Sequence, residues 1–177
     1  MAETFFPKAI AAPEFRPILM GQVRISEQCP MPFVAIGYTA NPKAPVGKWV
    51  CTRTSALGPY DDKPPEETRH SPDFCGQCVS FVTQVCPSLP VSTALWRKGA
   101  AVKNNATILS GTVIATFDDQ GRYYGHAAIY ERQDGRGIYV YDQWITGHVP
   151  QPVAPRGIRW DGHGISNRGD GFFVVEP

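Results

Sequence analysis

Three strand-length runs follow one another in the second half of the chain, Gly111–Phe117, Tyr124–Glu131 and Gly137–Asp142, and Gly171–Val175 closes the set. Apolar and polar residues alternate within them. A side-chain period of two is what a pleated strand with two different faces requires, and the short Gly- and Asp-bearing breaks suit tight reversals. Upstream the period changes. Cys78–Cys86 reads as a short helix with Cys78, Val82 and Val85 on one face, and Pro87 stops it. Ser92–Val102 reads as a second helix. Helices first and an antiparallel meander after is an α+β pattern, with N-terminal helices packed on an antiparallel β-sheet.

Length sets the scale of that fold. With 177 residues and 42% hydrophobic content the chain can bury one sizeable core, and we expect a single domain over residues 1–177. Residues 1–70 differ in character from 71–177. The first part is broken by prolines from Pro7 to Pro65 and offers one strand signal, Phe33–Tyr38; it reads as an extension packed on the core formed by 71–177. The formal charge of +1, with no Lys/Arg cluster, gives no footprint for nucleic acid. No apolar run approaches the ~20 residues of a membrane span, so no membrane insertion is expected. Met1–Lys8 lacks a basic stretch followed by an apolar one, so no Sec signal peptide is expected either.

Chemistry concentrates in two short segments. Phe74-Cys75-Gly76-Gln77-Cys78-Val79-Ser80-Phe81-Val82 puts a thiol where a loop turns into the apolar helix. At a helix start, unsatisfied N–H groups and the positive end of the helix dipole stabilise a thiolate, and the same N–H groups can hold an oxyanion. Gly76 permits close backbone approach. A buried core cysteine is the plain alternative. Another is a CxxC motif, redox-active or half a zinc site, but no second CxxC or HxxxH follows and no βαβ pattern surrounds it. The second segment, Tyr124-Gly125-His126-Ala127-Ala128-Ile129-Tyr130, puts an imidazole at the start of a strand. His70, His148 and His163 all sit among Pro, Gly or charged residues, where a solvated histidine is the default. His126 begins an apolar alternation instead, and Gly125 leaves room for a substrate backbone. A Cys/His pair is what thiol hydrolysis of an amide needs.

Hairpin counting bears on the group that would orient the imidazole. A three-residue loop Gln133-Asp134-Gly135 would put Asp142 across from His126. A two-residue Asp134-Gly135 turn would put Gln143 there instead. Asp142 is preferred, since a carboxylate both fixes the tautomer and stabilises the imidazolium. Gln77, Gly125 and Gln143 are the expected oxyanion and cleft residues.

The five cysteines are Cys29, Cys51, Cys75, Cys78 and Cys86. If Cys78 is a working thiol, the other four suffice for two disulfides in an oxidising compartment, or are small buried hydrophobes. Cys75 with Cys86 is a poor pair. Helical chain rising about 1.5 Å per residue would hold their Cα atoms beyond the ~7 Å bridging limit.

The order Gly76-Gln77-Cys78, Leu89-Pro90-Val91 leading to Trp96 and Gly99, Gly111-Thr112-Val113-Ile114-Ala115, Gly125-His126-Ala127-Ala128-Ile129-Tyr130 and Val140-Tyr141-Asp142-Gln143-Trp144 resembles the CHAP and NlpC/P60 papain-like cysteine amidases. The likeness covers about residues 74–145. It implies a papain-like core with Cys78 as nucleophile, His126 as base and Asp142 where CHAP members often have Glu. Trp144 stands where they have Asn. Within that superfamily the chain looks most like the small peptidoglycan amidase effectors of bacterial type VI secretion. That implies a peptidoglycan peptide substrate, delivery by the secretion apparatus without a Sec signal, action in a target cell's periplasm, a cognate periplasmic immunity protein, and no cofactor or metal. Two other readings stay open: an intracellular papain-like protease or deconjugating enzyme, and a non-enzymatic zinc-binding module using Cys75 and Cys78.

Overall fold

A computed structural model describes residues 32–64, 72–146 and 149–177 of the chain. Trp49–Val50 (β1) and Tyr60–Asp61 (β2) pair as a small antiparallel ribbon. Cys78–Val85 (α1) is an eight-residue α-helix. Arg97–Ala101 (β3), Val113–Phe117 (β4), Tyr123–Gln133 (β5), Gly137–Trp144 (β6), Gln151–Arg159 (β7) and Phe172–Glu176 (β8) form one antiparallel six-stranded sheet in the order β3-β8-β4-β5-β6-β7. The meander expected from the alternating runs is therefore present as β4-β5-β6, and it continues into β7.

The N-terminal helices expected beside it are not. Among the described residues α1 is the sole α-helix, and the fold is mostly β. Ser92–Val102 forms a short 3-10 turn, Thr93–Leu95, and then β3. Trp96 explains the change: its indole is buried and Nε1–H donates to the Pro90 carbonyl at 2.8 Å. That anchor leaves Arg97 and Lys98 free to pair with Glu176 and Val175 of β8. A helix there would bury no continuous apolar stripe and would carry Gly99 in its interior, at a cost of about 1 kcal/mol. Phe33–Tyr38 is likewise not a strand. It makes one bridge, Val34 to Thr112, before Gly37 at φ 67° turns the backbone into the 3-10 turn Tyr38–Ala40. Sequence reading also missed the β1–β2 ribbon and β7, which contains Pro152 and Pro155; β7 is the last strand of the sheet, and its outer side meets no further strand, only the backbone of Gly47 and Lys48 at Val153, so proline is tolerated there.

Alternation gives the sheet two apolar faces. Val113, Ala115, Ala127 and Ile129 pack with Phe81, Val82 and Val85 of α1, and with Phe33, Tyr38, Ala44 and Val50 from the Pro-rich part. Ile114, Ala128, Tyr130, Ile138, Val140 and Phe172 pack on the other face with Val102, Ile108 and Trp160. Each fully buried side chain of this size stabilises the fold by about 1.5–3 kcal/mol.

The β5–β6 hairpin follows neither register counted from the sequence. Gln133 pairs with Ile138 across the turn, and an irregularity between Tyr130 and Arg132 shifts the ladder so that Ile129 meets Tyr141. Extended along β5, that register puts Asp142 beside Ala128, diagonal to His126 and on the same face. The offset from the expected pairing is even, so it preserves the face of every side chain.

Candidate active site

Cys78 opens α1 on a loop tied down from behind. Gly76 sits at φ 79°, and a Cβ there would stand 3.0 Å from the Trp49 ring and 3.3 Å from Ile145. Its N–H donates to the Val50 carbonyl at 2.9 Å. Cys75 is disulfide-bonded to Cys51, both sulfurs buried, which joins the chain just past β1 to the residue before Gly76. Cys86 is disulfide-bonded as well, and among the described residues Cys78 is the free thiol. Cys75 therefore has no thiolate to offer zinc, which removes the Cys75/Cys78 half-site. Gln143 completes the clamp. Fully buried, it accepts from the Val50 N–H at 2.9 Å and donates to the Val50 and Gln77 carbonyls at 2.8 Å each. Gln143 thus stands behind the thiol loop rather than in the cleft. Phe74, at φ 44° and 43% exposed, marks the outer rim of this loop.

His126 enters from β5. Its N–H donates to Thr116 Oγ1 at 2.9 Å, and that hydroxyl donates on to the Tyr124 carbonyl at 2.5 Å. Gly125 between them has φ 107°, and a Cβ would stand 2.8 Å from both Ile165 Cδ1 and Thr116 Oγ1. The imidazole is buried, with Nε2 2.7 Å from Asp142 Oδ2. Nδ1 is the nitrogen left for the thiol. Burial alone would lower the His126 pKa, but the negative charge and hydrogen bond of Cys78, together with Asp142, outweigh it and raise the value to about 9. Burial alone would raise Cys78; the positive His126, hydrogen bonds from His126 and Tyr123, and the Ala127 amide bring it below the ordinary thiol value. The two shifts favour a thiolate–imidazolium pair. His163 is exposed, and His70 and His148 lie outside the described residues.

Two groups at the site carried no signal in the sequence. Tyr123 Oη lies 3.4 Å from Cys78 Sγ and donates to the Gly125 carbonyl at 3.3 Å, while its ring packs edge-on against Trp96. Burial and the neighbouring thiol push its phenol far above the ordinary tyrosine value. Arg156 of β7 donates from Nε to the same Asp142 Oδ2 at 2.7 Å. Recognising β7 would have found it: β6 and β7 pair Val140 with Arg156, which sets Arg156 diagonal to Asp142 on one face.

Cys78 lies between two hollows that share Gln77, Cys78, Gly125 and Thr146. One, about 480 Å³, is walled by Phe74, Val79, Val91 and Tyr123. The other, about 350 Å³, is walled by His126, Trp144, Arg156, Ser166 and Asn167. An extended substrate laid through both would present an amide to the thiol, with an apolar wall on one side and a polar, hydrogen-bonding wall on the other.

The chain is similar to known proteins. Domesticated amidase effector 2 of Ixodes scapularis is 41% identical over 104 residues, covering 56% of this chain and 70% of that protein. The type VI secretion amidase effector 2 protein of Salmonella typhi is 38% identical over 115 residues, covering 56% of this chain and 84% of that one. A solved structure of type 6 secretion amidase effector 2 superposes with a TM-score of 0.55 at 28% identity, over 82% of this chain and 94% of that one. Residues 36–175 match the family described as domesticated amidase effector 2. The mostly β architecture, the free thiol at the head of α1 and these likenesses agree, and the chain belongs to the domesticated amidase effector 2 family.

Proposed function

We propose that this amidase cuts a peptide amide of peptidoglycan with Cys78 as nucleophile, His126 as acid and base, and Asp142 as the group that orients the imidazole. The observation that carries the reading is the buried line from the free Cys78 thiol through His126 to Asp142, with the last link at 2.7 Å. The Cys78 thiolate attacks the amide carbonyl, and the backbone N–H groups at the head of α1 receive the oxyanion, with Gln77 and Gly125 lining the cleft beside it. His126 protonates the leaving amine, which departs and leaves an acyl-thioester on Cys78. Water, deprotonated by His126, then releases the acid and restores the thiol. Asp142 holds the ring and faces the imidazolium charge throughout.

A thiol at the head of a helix with its histidine on an antiparallel sheet supports a papain-like ancestry for the core. The chain works as one domain, and the packing of Phe33, Tyr38 and Val50 into the cluster that holds Cys78 supports it. Its place of action is a target cell's periplasm, reached through the type VI apparatus, and a producing cell is protected by an immunity protein seated in the cleft. The Cys51–Cys75 disulfide supports an oxidising destination over the intracellular protease reading. The test is digestion of purified sacculi followed by mass spectrometry of the muropeptides. New amine and carboxyl ends in the peptide stems or cross-links, absent with C78A, are expected; intact stems with the wild-type protein would refute the substrate.

A further inference from the structure

We infer that Arg156 is a positioning residue for the hydrolysis, acting through Asp142 to hold the His126 imidazole where the Cys78 thiolate needs it. The inference rests on the Cys78–His126–Asp142 reading. Asp142 is fully buried, and its Oδ2 receives both His126 Nε2 and Arg156 Nε at 2.7 Å. Its Oδ1 has no hydrogen-bond partner among the described residues. One carboxylate oxygen therefore receives both His126 and Arg156, and the direction from which Arg156 approaches fixes where that oxygen points.

Arg156 is itself fixed on three sides. Nη1 donates to Asn167 Oδ1 at 2.6 Å and Nη2 to the Ser166 carbonyl at 2.9 Å. Its guanidinium carbon stands 4.7 Å from the centre of the Trp144 ring. The planar fork with distinct partners on each nitrogen is what guanidinium supplies and ammonium does not. The parts fall on three successive strands, His126 on β5, Asp142 on β6 and Arg156 on β7, and they alternate in charge away from the thiolate. In so dry a place the single imidazolium charge is shared between the thiolate and the carboxylate, and without Arg156 the buried group would carry one uncompensated negative charge, which is unfavourable. Trp144, where CHAP members have asparagine, here forms the floor under the arginine.

The test is steady-state kinetics on one purified muropeptide with R156Q, R156K, D142N and the R156Q/D142N double variant, read beside the ¹⁵N imidazole spectrum of His126. R156Q should lower kcat about 10- to 100-fold, as loss of orienting partners does elsewhere, with KM within about 3-fold. In the D142N background the same change should cost less than about 3-fold, because the two residues act on one link. R156K should recover part of the rate, and R156Q should alter the Nε2 hydrogen-bond signal in the direction D142N does. If R156Q fails to fold, R156K carries the test through the same kcat-against-KM split and the same signal. A defect in KM, or an equal loss with and without Asp142, would mean that Arg156 touches substrate or only braces the sheet, and would overturn the inference. A wild-type D142N would sink the reading of Asp142 itself, whereas a wild-type R156Q beside a crippled D142N would sink only the role of Arg156.

Discussion

Cys78 and His126 shift each other in opposite directions, and that opposition sets the pH behaviour of the site. The thiol titrates below its ordinary value and the imidazole up at about 9, so the ion pair exists between the two. Raising the pH through about 9 removes the His126 proton, and with it the acid that the leaving amine requires. Lowering it through the Cys78 value removes the thiolate, the proposed nucleophile. Alkylation of Cys78 by iodoacetamide should therefore begin below the ~8.5 of a free thiol, and in H126A the onset should move up, because burial remains while the compensating charge is gone. An unchanged alkylation profile in H126A would mean that the two groups do not communicate. For the carboxylate, D142N should lower kcat by about 10- to 10³-fold in the folded protein. That is less than the ~10⁴ seen in a serine triad, since the thiolate is already formed at rest. That these three residues meet was legible because each carries a local mark: a Gly before the thiol helix, a Gly before the histidine, an acid closing the next strand. Tyr123 and Arg156 carry none, and only pairing across strands brings them in.

Among the elements, the β5–β6 hairpin and the Gln143 clamp show what pattern reading gets and misses. Counting across the turn misjudged the register, yet kept Asp142 on the His126 face because an even shift does not exchange faces. Gln143 lies one residue on, so it points the other way, into the backbone of β1 and the thiol loop. Nothing in its sequence neighbourhood separates a cleft amide from a buried clamp. Q143A should break the three hydrogen bonds from its side chain to the backbone of Val50 and Gln77 and destabilise the protein by about 2–4 kcal/mol, seen as an earlier urea midpoint with a matching fall in activity. A wild-type midpoint would remove the clamp from the account. β3 misled for a related reason. Ala94, Leu95, Arg97, Lys98 and Ala100 all favour helix intrinsically, but the Trp96 anchor and the edge of β8 override propensity. G125A tests local geometry: its Cβ would meet Thr116 and Ile165 at a φ of 107°, so the entry of β5 should distort and activity should be lost out of proportion to stability.

Over the whole molecule, the thiol loop, β1 and the sheet form one unit, and the Cys51–Cys75 bond is the covalent part of it. Sequence arithmetic left two disulfides and buried free thiols equally open, since spacing alone says nothing of which sulfurs meet. C51A/C75A should cost about 2–4 kcal/mol, lowering the melting temperature by roughly 5–15 °C, while leaving Cys78 able to react where the fold persists. An unchanged melting temperature would mean that packing alone holds the loop. The measurement closest to the central claim is the intact mass of the protein quenched in acid while it turns over a peptidoglycan fragment. Attack by Cys78 on an amide predicts an acyl adduct of one stem fragment on Cys78, accumulating when hydrolysis is slowed and absent in C78A. Wild-type turnover with no adduct, and undiminished cleavage by C78A, would contradict the thiol mechanism.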